Sequence, residues 1–377
     1  MSNLVLYRKY RPQTFSEITG QEYVVQTLSN ALSRNNISHA YIFSGSRGSG
    51  KTTIARLLAK AVNCHNRKDG QFEPCNKCSS CLEVMGGRAL DLIEIDAASN
   101  RGIDEMRELR DGIKFAPTKE KYKVFIIDES HQLTKEAVNA LLKTLEEPPS
   151  HAIFVLATTE IHKMIPTIIS RCQRFDFRKL TLPEIVKRLE FVSGKEGVKI
   201  EKPALEIIAL NSGGAIRDAE SLLDQVFTFS GASDRKGIIK AEAIKELLGS
   251  IDTNVIGEFV DYLYQKQGDK IFTFLNGVFE RGYDPQEFAK TLTRYLRQVM
   301  LLKINPDPMN PIIVGLTAEE QKKMRGQAEK FSGLELLHIL ELFFDAENKI
   351  KYSSIPQLPL ELAIVEIINK DSKSDLA

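Results

Sequence analysis

The sequence has few cysteines, almost no net charge and no long apolar run, and each shortage excludes a class of protein. Four of its five cysteines fall within eighteen residues, which indicates a metal site in a reducing compartment rather than a disulfide framework. A formal net charge of +1 provides no global attraction for nucleic acid, so any DNA contact must come from a local patch. Apolar runs such as residues 152–157 are far too short to span a membrane, and residues 1–11 lack a signal-peptide pattern. We therefore expect a cytoplasmic protein with no membrane partner.

The order of predicted elements divides the 377 residues into an α/β part and an all-α part. In the first part apolar strands alternate with helices, which is typical of a parallel sheet covered by helices on both faces; the predicted strands are 41–44, 92–96, 124–128, 153–158 and 173–177. A turn at residues 16–18 is predicted to lead into a helix that runs to about Leu32, and only helices are predicted after Phe177. We expect domains at 1–178, 179–243 and 244–369, followed by a polar tail at 370–377.

The run Gly45-Ser46-Arg47-Gly48-Ser49-Gly50-Lys51-Thr52 fits the phosphate-binding P-loop pattern. An apolar strand precedes it and a helix beginning near Thr53 follows, which is the context that the pattern requires. Glycines let backbone N–H groups point at phosphate oxygens, and the helix dipole adds positive potential. The sequence therefore predicts binding of a nucleoside triphosphate, with Lys51 reaching the β- and γ-phosphates and Thr52 ligating Mg²⁺. The predicted nucleotide-binding residues are Gly45, Ser46, Arg47, Gly48, Ser49, Gly50, Lys51, Thr52 and Thr53.

An apolar strand ends in two carboxylates, Asp128 and Glu129. Acidic residues at the carboxyl end of a strand neighbouring the P-loop strand lie beside the bound phosphates. Asp128 is expected to hold Mg²⁺, and Glu129 to act as general base toward the attacking water. The alternative is that these residues cap the following helix, with His131 or Thr134 sharing that function.

Three further polar residues are candidate catalytic groups, each with a simpler alternative. Thr158 and Thr159 follow each other at the next strand end; Thr158 is the preferred candidate to orient the attacking water or sense the γ-phosphate, and the alternative is a hydroxyl that caps the following helix. Arg171 could serve a neighbouring subunit's ATP as an arginine finger, or be an ordinary surface arginine. Arg217 lies in the first turn of a predicted helix, where a cation opposes the dipole; a γ-phosphate would relieve this, and so would pairing with Asp218 or Glu220.

The clustered cysteines form a C-x10-C-x2-C-x2-C pattern. Four thiolates suit tetrahedral Zn²⁺, and an iron–sulfur cluster is the alternative, although the Cys-Pro that completes the ferredoxin pattern is absent. The module, at about 64–81, interrupts the α/β part and is expected to be structural. The predicted zinc ligands are Cys64, Cys75, Cys78 and Cys81.

Basic residues after the second strand are candidate DNA contacts, since arginines suit phosphate recognition. Interleaved acidic residues favour a solvated helix face instead. The candidates are Arg101, Arg107, Arg110 and Lys114.

Several stretches beyond the generic ATPase patterns resemble the bacterial DNA polymerase III γ/τ subunit family, of the AAA+ class, over nearly the whole chain. The four-cysteine insertion and the following segments carry the resemblance: Tyr10-Arg11-Pro12-Gln13-Thr14-Phe15, Ile95-Asp96-Ala97-Ala98-Ser99, residues 139–149 and Ser170-Arg171-Cys172-Gln173-Arg174-Phe175. Ser130 departs from the apolar residue that many members have after Asp-Glu. The τ form continues beyond the point that corresponds to Ala377, so we expect a γ-like portion.

The resemblance implies a RecA-like AAA+ ATPase domain with a zinc insertion, a helical lid and a helical collar for oligomerisation. It implies that Arg171 acts in trans as a finger, that Arg217 acts in cis as a sensor, and that Lys143 links the ATP site to the DNA-facing interior. The function implied is that of an ATP-driven clamp-loader motor, with δ and δ′ subunits, further copies of itself, the β sliding clamp and primed DNA as partners. The alternatives are a non-catalytic δ′-like scaffold and an AAA+ branch-migration helicase.

Overall fold

The structure, a computed structural model, describes residues 4–99, 112–113, 115–230, 237–247, 251–305 and 318–369. It divides into two compact units, residues 1–238 and residues 239–377, and each is described by itself. No helix in the described ranges is long and apolar enough to cross a membrane.

A parallel five-stranded sheet is the centre of the first unit. Its strands are β1 (Ala40–Gly45), β2 (Leu92–Asp96), β3 (Lys123–Asp128), β4 (Ala152–Thr158) and β5 (Gln173–Phe177). Their order is β2-β3-β4-β1-β5, and every pairing is parallel. Every residue of β4 is buried, as its unbroken apolar sequence predicts for a strand covered on both faces. The predicted strands are confirmed within one residue at each end.

Helices cover both faces of this sheet. In β1, Tyr41 and Phe43 pack into one apolar cluster, whereas Ala40 and Ile42 pack into a second, as the two-residue period of a strand requires. The helices of this unit are α1 (Leu6–Lys9), α2 (Glu22–Ser33), α3 (Lys51–Val62), α4 (Ser79–Met85), α5 (Lys135–Glu146), α6 (Pro166–Ile169), α7 (Leu182–Glu196), α8 (Lys202–Asn211) and α9 (Ile216–Phe229).

One prediction about secondary structure was confirmed and another was wrong in detail. The turn expected at residues 16–18 is a 3₁₀ turn at Phe15–Glu17, and the helix that follows is α2, which begins at Glu22 after two residues, Gly20 and Gln21, with positive φ angles. Two-residue strands, β6 (Lys199–Ile200) and β7 (Ile238–Ile239), occur after the point where the sequence predicts helices alone. A strand of two residues is too short to show the alternation of apolar and polar residues by which strands are predicted.

A capping box begins helix α7. The backbone N–H of Thr181 donates to Glu184 Oε2 at 2.8 Å, and the Arg178 guanidinium donates to both carboxylate oxygens of Glu184, at 2.6 and 2.8 Å. The Arg178 hydrogen bonds and those from Thr181 outweigh burial and lower the pKa of Glu184 to about 2. The carboxylate therefore joins the end of the sheet to the first lid helix.

Because this carboxylate's pKa is lower in the folded state than its ordinary 4.5, its contribution to stability is present above about pH 4.5 and is lost as the pH falls toward 2. Glu184→Gln should therefore lower the free energy of unfolding by about 1 kcal/mol near neutral pH, and by less in acid. Urea unfolding at several pH values measures this difference, with the exposed Glu190→Gln as control. A difference between Glu184→Gln and wild type that stays constant with pH would contradict the assignment.

The second unit is helical. Its helices are α10 (Ala241–Leu247), α11 (Thr253–Tyr264), α12 (Gly268–Glu280), α13 (Pro285–Ile304), α14 (Ala318–Lys330), α15 (Gly333–Ile350) and α16 (Leu358–Asn369). Asp284 caps α13 by accepting from the Glu287 N–H at 3.0 Å. Helix α13 packs against α14 and α15, and Phe259, Phe288 and Phe343 pack together at the centre of the core.

Candidate active site and metal centre

The glycine-rich loop lies at the carboxyl end of β1, which has β4 and β5 as neighbours, and it ends where α3 begins at Lys51. Gly45 lies so close to β5 that a Cβ there would be 2.5 Å from the Phe177 carbonyl oxygen. A side chain would therefore separate the two strands, so only glycine fits this position. Packing within the sheet thus fixes where the loop starts.

Lys51 is buried within this loop. Its Nζ donates to the carbonyl oxygens of Gly45 at 2.7 Å and Ser46 at 2.9 Å. Burial lowers the pKa of Lys51, and the carboxylates of Glu129 and Asp128 oppose that shift. The structure therefore brings the loop lysine and both predicted carboxylates together.

Thr52 and Asp128 form a pair of oxygen donors at the start of α3 and the end of β3. Thr52 Oγ1 donates to Asp128 Oδ2 at 2.8 Å. A hydroxyl and a carboxylate are the hard oxygen ligands that Mg²⁺ prefers. The two residues that the sequence predicts for Mg²⁺ therefore fit that ion.

Glu129 does not cap the following helix. Thr134 has that position, and its Oγ1 accepts from the Ala137 N–H at 3.3 Å. Glu129 has a left-handed φ of 47°, a strained conformation for a residue with a side chain, and its Oε2 accepts from Thr159 Oγ1 at 2.9 Å. The capping alternative is thereby assigned to Thr134, and Glu129 lines the pocket beside the loop.

Thr158 does not line this pocket. Its side chain is fully buried, and its Oγ1 accepts from the Glu160 N–H at 3.0 Å and lies 3.0 Å from His131 Nδ1. The hydroxyl that contacts Glu129 belongs to Thr159, the next residue. Strand β4 ends at Thr158, so the turn that follows the strand sets the direction of the Thr159 side chain and brings it, rather than Thr158, to Glu129.

A pocket of about 460 Å³ encloses the loop and both carboxylates. Part of the pocket wall comes from α1 and from residues 10–21, here called the N-terminal strap. The strap has no phosphate-binding pattern, so its sequence predicts no place in the pocket; residues 10–15 are notable only for their resemblance to the family. The lining residues contributed by α1, the strap and the end of β2 are Tyr7, Arg11, Pro12, Ile18, Thr19, Asp96 and Ala98.

Arg217 lies in the first turn of α9 and lines the same pocket. Its guanidinium carbon is 4.8 Å from the centre of the Tyr7 ring, a cation–π distance. A Cβ on Gly48, which has a φ of 73°, would be 3.3 Å from the Arg217 Cβ, so the loop and α9 approach closely. Among the described residues Arg217 has no ion pair with Asp218 or Glu220, so that alternative is not what the structure shows.

Glu220 instead pairs with Arg188. The side chains of Arg188 and Glu220 are 8% and 6% exposed, respectively, and Arg188 Nε donates to Glu220 Oε1 at 2.8 Å. Arg188 Nη2 also donates to the Tyr10 carbonyl oxygen. The pair therefore joins α7 and α9 to the start of the N-terminal strap.

Arg171 is outside the pocket. It follows α6 and is one-third exposed, with Nη2 2.7 Å from Glu146 Oε1 and Nη1 donating to the Thr167 carbonyl oxygen at 2.8 Å. The structure therefore places it at the domain surface, where it does not reach the pocket of its own chain. Lys143 is likewise exposed on α5, whereas Arg101, Arg107, Arg110 and Lys114 lie outside the described residues.

The four clustered cysteines come together after α3 and at α4. Their Sγ atoms all lie within 4.8 Å of one another, and those of Cys75 and Cys81 are 3.9 Å apart; thiolates around one zinc ion are about 3.8 Å apart. The N–H groups of Lys77 and Cys78 lie 3.4 and 3.3 Å from Cys75 Sγ. Burial raises the pKa of the Cys75 thiol, but these N–H groups and neighbouring thiols bring it to about 6. The cluster could therefore hold a metal ion, and the donor set fits zinc.

Three family models match successive parts of the chain. Residues 20–181 match the model for DNA polymerase III, delta subunit, and residues 184–232 match that for the DNA polymerase III clamp loader subunit, ATPase lid domain. Residues 239–376 match DNA polymerase III subunits gamma and tau domain III. Together with the parallel sheet, these matches establish a RecA-like α/β core followed by an AAA+ lid and a helical region.

Curated relatives match almost the whole chain. It is 42% identical over 374 residues to DNA polymerase III subunit tau of Bacillus subtilis and 35% identical over 368 residues to that of Escherichia coli. These alignments cover 99% and 98% of this chain, which spans 65% and 56% of the length of the two tau subunits. DNA polymerase III subunit gamma of Buchnera aphidicola subsp. Schizaphis graminum is 38% identical over 372 residues, which are 97% of this chain and 99% of that protein. The chain belongs to the DNA polymerase III subunit gamma/tau family.

Proposed function

We propose that this chain is an ATP-driven motor subunit of a clamp loader, which opens a sliding clamp and places it on primed DNA. The observation that carries the proposal is the convergence of a phosphate loop, a Mg²⁺ pair and a candidate base in one pocket. Its relatives are named as DNA polymerase III subunits, and the matching lid model is that of a clamp-loader ATPase. We place its work in the cytoplasm, with δ and δ′ subunits, further copies of itself, the clamp and DNA as partners.

The proposed chemistry divides the pocket into binding and proton-transfer groups. Loop N–H groups and Lys51 hold the β- and γ-phosphates, and Thr52 and Asp128 would hold Mg²⁺, which neutralises charge on the phosphate oxygens when bound. Glu129, oriented by Thr159, accepts a proton from the attacking water. Arg217, beside the loop, is positioned to detect the γ-phosphate in cis.

Arg171 is proposed to act on the ATP of a neighbouring subunit. It is at the surface and outside its own pocket, which supports a contribution in trans to an adjacent site. This role requires an assembly, and we assign oligomerisation to a collar formed by residues 244–369. We propose a RecA-like domain at 1–178 and a lid at 179–243, which the extents of the three family models support.

The cysteine cluster is proposed to bind one Zn²⁺ as a structural site. Four thiolates fill a tetrahedral shell and leave no open position for catalysis. Its distances and N–H···S contacts support this assignment.

Two other functions remain as outcomes of a test. A non-catalytic scaffold has no need of Lys51, Thr52, Asp128 and Glu129 in one pocket, and a branch-migration helicase does not account for the match of residues 239–376 to a gamma and tau domain. The test is steady-state ATP hydrolysis by the chain reconstituted with δ and δ′ subunits, with and without clamp and primed DNA. We expect clamp and DNA together to stimulate turnover severalfold. Hydrolysis that neither affects would contradict the motor function, and absence of ATP binding would favour the scaffold.

A further inference from the structure

The N-terminal strap lines the nucleotide pocket on both sides of its midpoint. Arg11 and Pro12 come from its first part, and Ile18 and Thr19 from its last part. The middle of the strap, a 3₁₀ turn at Phe15–Glu17, does not line the pocket. Contacts that hold the middle therefore contribute to the position of both lining parts, together with the bond from Arg188 to Tyr10 at the start of the strap.

Glu73 holds that turn. It lies in the cysteine module, two residues before Cys75, and its carboxylate accepts three hydrogen bonds from the strap. The N–H of Phe15 donates to Oε2 at 2.8 Å, and the N–H and hydroxyl of Ser16 donate to Oε1 at 2.8 and 2.6 Å. A carboxylate that accepts two adjacent N–H groups forms charge-assisted bonds, the stronger class in proteins. The turn is thus bound by the module rather than by its own chain neighbours alone.

Two further contacts hold the strap, one from the cysteine module and one from α3. The ring of Phe15, 1% exposed, packs edge-on against Phe72 with centroids 6.4 Å apart. Lys60, at the end of the helix that begins at the phosphate loop, is 2% exposed and donates to Gln13 Oε1 at 2.9 Å. Gln13 Nε2 in turn donates to the carbonyl oxygen of Arg11, a lining residue, at 2.9 Å. A continuous series of contacts therefore connects the cysteine module to the pocket wall.

We propose that Glu73 is a positioning residue, through which the cysteine module holds the N-terminal strap in the form that binds nucleotide. The inference rests on the proposed nucleotide and zinc sites and assigns to the cysteine module a role in nucleotide affinity. A metal ion held by Cys75 would restrain Glu73, which lies two residues before it. When the module is loosened, the strap leaves its binding form for part of the time, and apparent affinity falls by that fraction.

The experiment measures equilibrium binding of a fluorescent ATP analogue with Mg²⁺ to the full chain. Glu73→Gln keeps the size of the side chain but replaces one accepting oxygen with a donor, so it cannot accept all three bonds. We expect its Kd to rise about tenfold, and the amide protons of Phe15 and Ser16 to exchange faster with solvent. The matched control is Glu83→Gln, on α4 of the same module, whose carboxylate pairs with Lys119 and does not touch the strap. The control should bind nucleotide as wild type does.

Zinc content, measured by metal release with a thiol reagent, separates the two ways in which Glu73→Gln could act. We expect the variant to keep the zinc of wild type, and chelation of zinc from wild type to raise Kd by a similar factor. Chelation should add little in Glu73→Gln, since both changes release the same turn. If Glu73→Gln loses zinc, Ser16→Ala tests the role of the strap contacts instead, because it removes one of the three hydrogen bonds without changing the cysteine module. We expect Ser16→Ala to raise the Kd about twofold.

An unchanged Kd in Glu73→Gln, with zinc retained and strap amides exchanging faster, would overturn the inference. So would chelation that leaves the Kd of wild type unchanged. Failure of wild type itself to bind the analogue would refute the proposed nucleotide site, which is a different result.

Discussion

Replacing Glu129 with glutamine should leave ATP bound and lower its hydrolysis by about a thousandfold, the contribution typical of a positioned general base. Glutamine keeps the shape of the side chain and can still accept from Thr159, but it cannot take a proton from water. The nucleotide is held by other groups, namely the loop and Lys51. We therefore expect the hydrolysis rate to fall while the Kd for ATP stays unchanged. This loss of rate is the largest effect that we expect from a single substitution in this pocket.

Single-turnover hydrolysis and equilibrium binding of a fluorescent ATP analogue measure the two quantities separately. Glu190→Gln, an exposed glutamate on α7, is the control and should leave both unchanged. A loss of binding equal to the loss of rate would show that Glu129 holds the nucleotide or the fold rather than the proton. A rate within about threefold of wild type would show that another group is the base.

Replacing Arg171 with alanine should lower turnover in the assembled loader by about a thousandfold while leaving the affinity for ATP unchanged, as is typical of an arginine finger. The chain's own pocket has no contribution from Arg171, so binding is not affected. Arg174→Ala is the matched control, since Arg174 is also exposed on the same segment but pairs with Asp176 at 2.9 Å. That variant should turn over as wild type does.

Mixing two inactive variants tests whether Arg171 acts in trans. A Lys51→Met chain cannot hydrolyse ATP but still offers its Arg171 to a neighbour, whereas an Arg171→Ala chain retains a complete pocket. Loaders assembled from both chains should therefore hydrolyse ATP faster than loaders containing either variant alone. A mixture no faster than its parents would refute action in trans.

Local patterns were sufficient to predict the sheet and the centre of the pocket. Continuous apolar runs locate β3 and β4, and the glycine spacing locates the loop at Gly45, because each of these features depends on neighbouring residues. The threonine that contacts Glu129 could not be predicted in this way. The sequence favours Thr158, whereas the contact is made by Thr159, because it depends on how the chain turns after β4 ends at Thr158.

The part of the pocket wall formed by the N-terminal strap could not be predicted from the sequence, for a different reason. Its position depends on Glu73, which bonds to Phe15 and Ser16 across sequence separations of 58 and 57 residues. It also depends on Arg188, which bonds to Tyr10 across a separation of 178 residues. No periodicity connects such partners. Likewise, the pairing of Glu220 with Arg188 rather than with Arg217 depends on how α7 packs against α9.

The order of strands in the sheet has a consequence for the synthesis of the chain. Strand β1 carries the phosphate loop, yet its two partners are β4 and β5: Ala40 lies opposite Phe154, and Tyr41 opposite Gln173. A ribosome adding roughly 5–20 residues per second needs on the order of ten seconds between making β1 and completing its neighbours. During that time an apolar strand that is buried in the finished protein has no sheet to join. The native pairing of β1 on both of its edges therefore has to wait until residue 177 has left the exit tunnel.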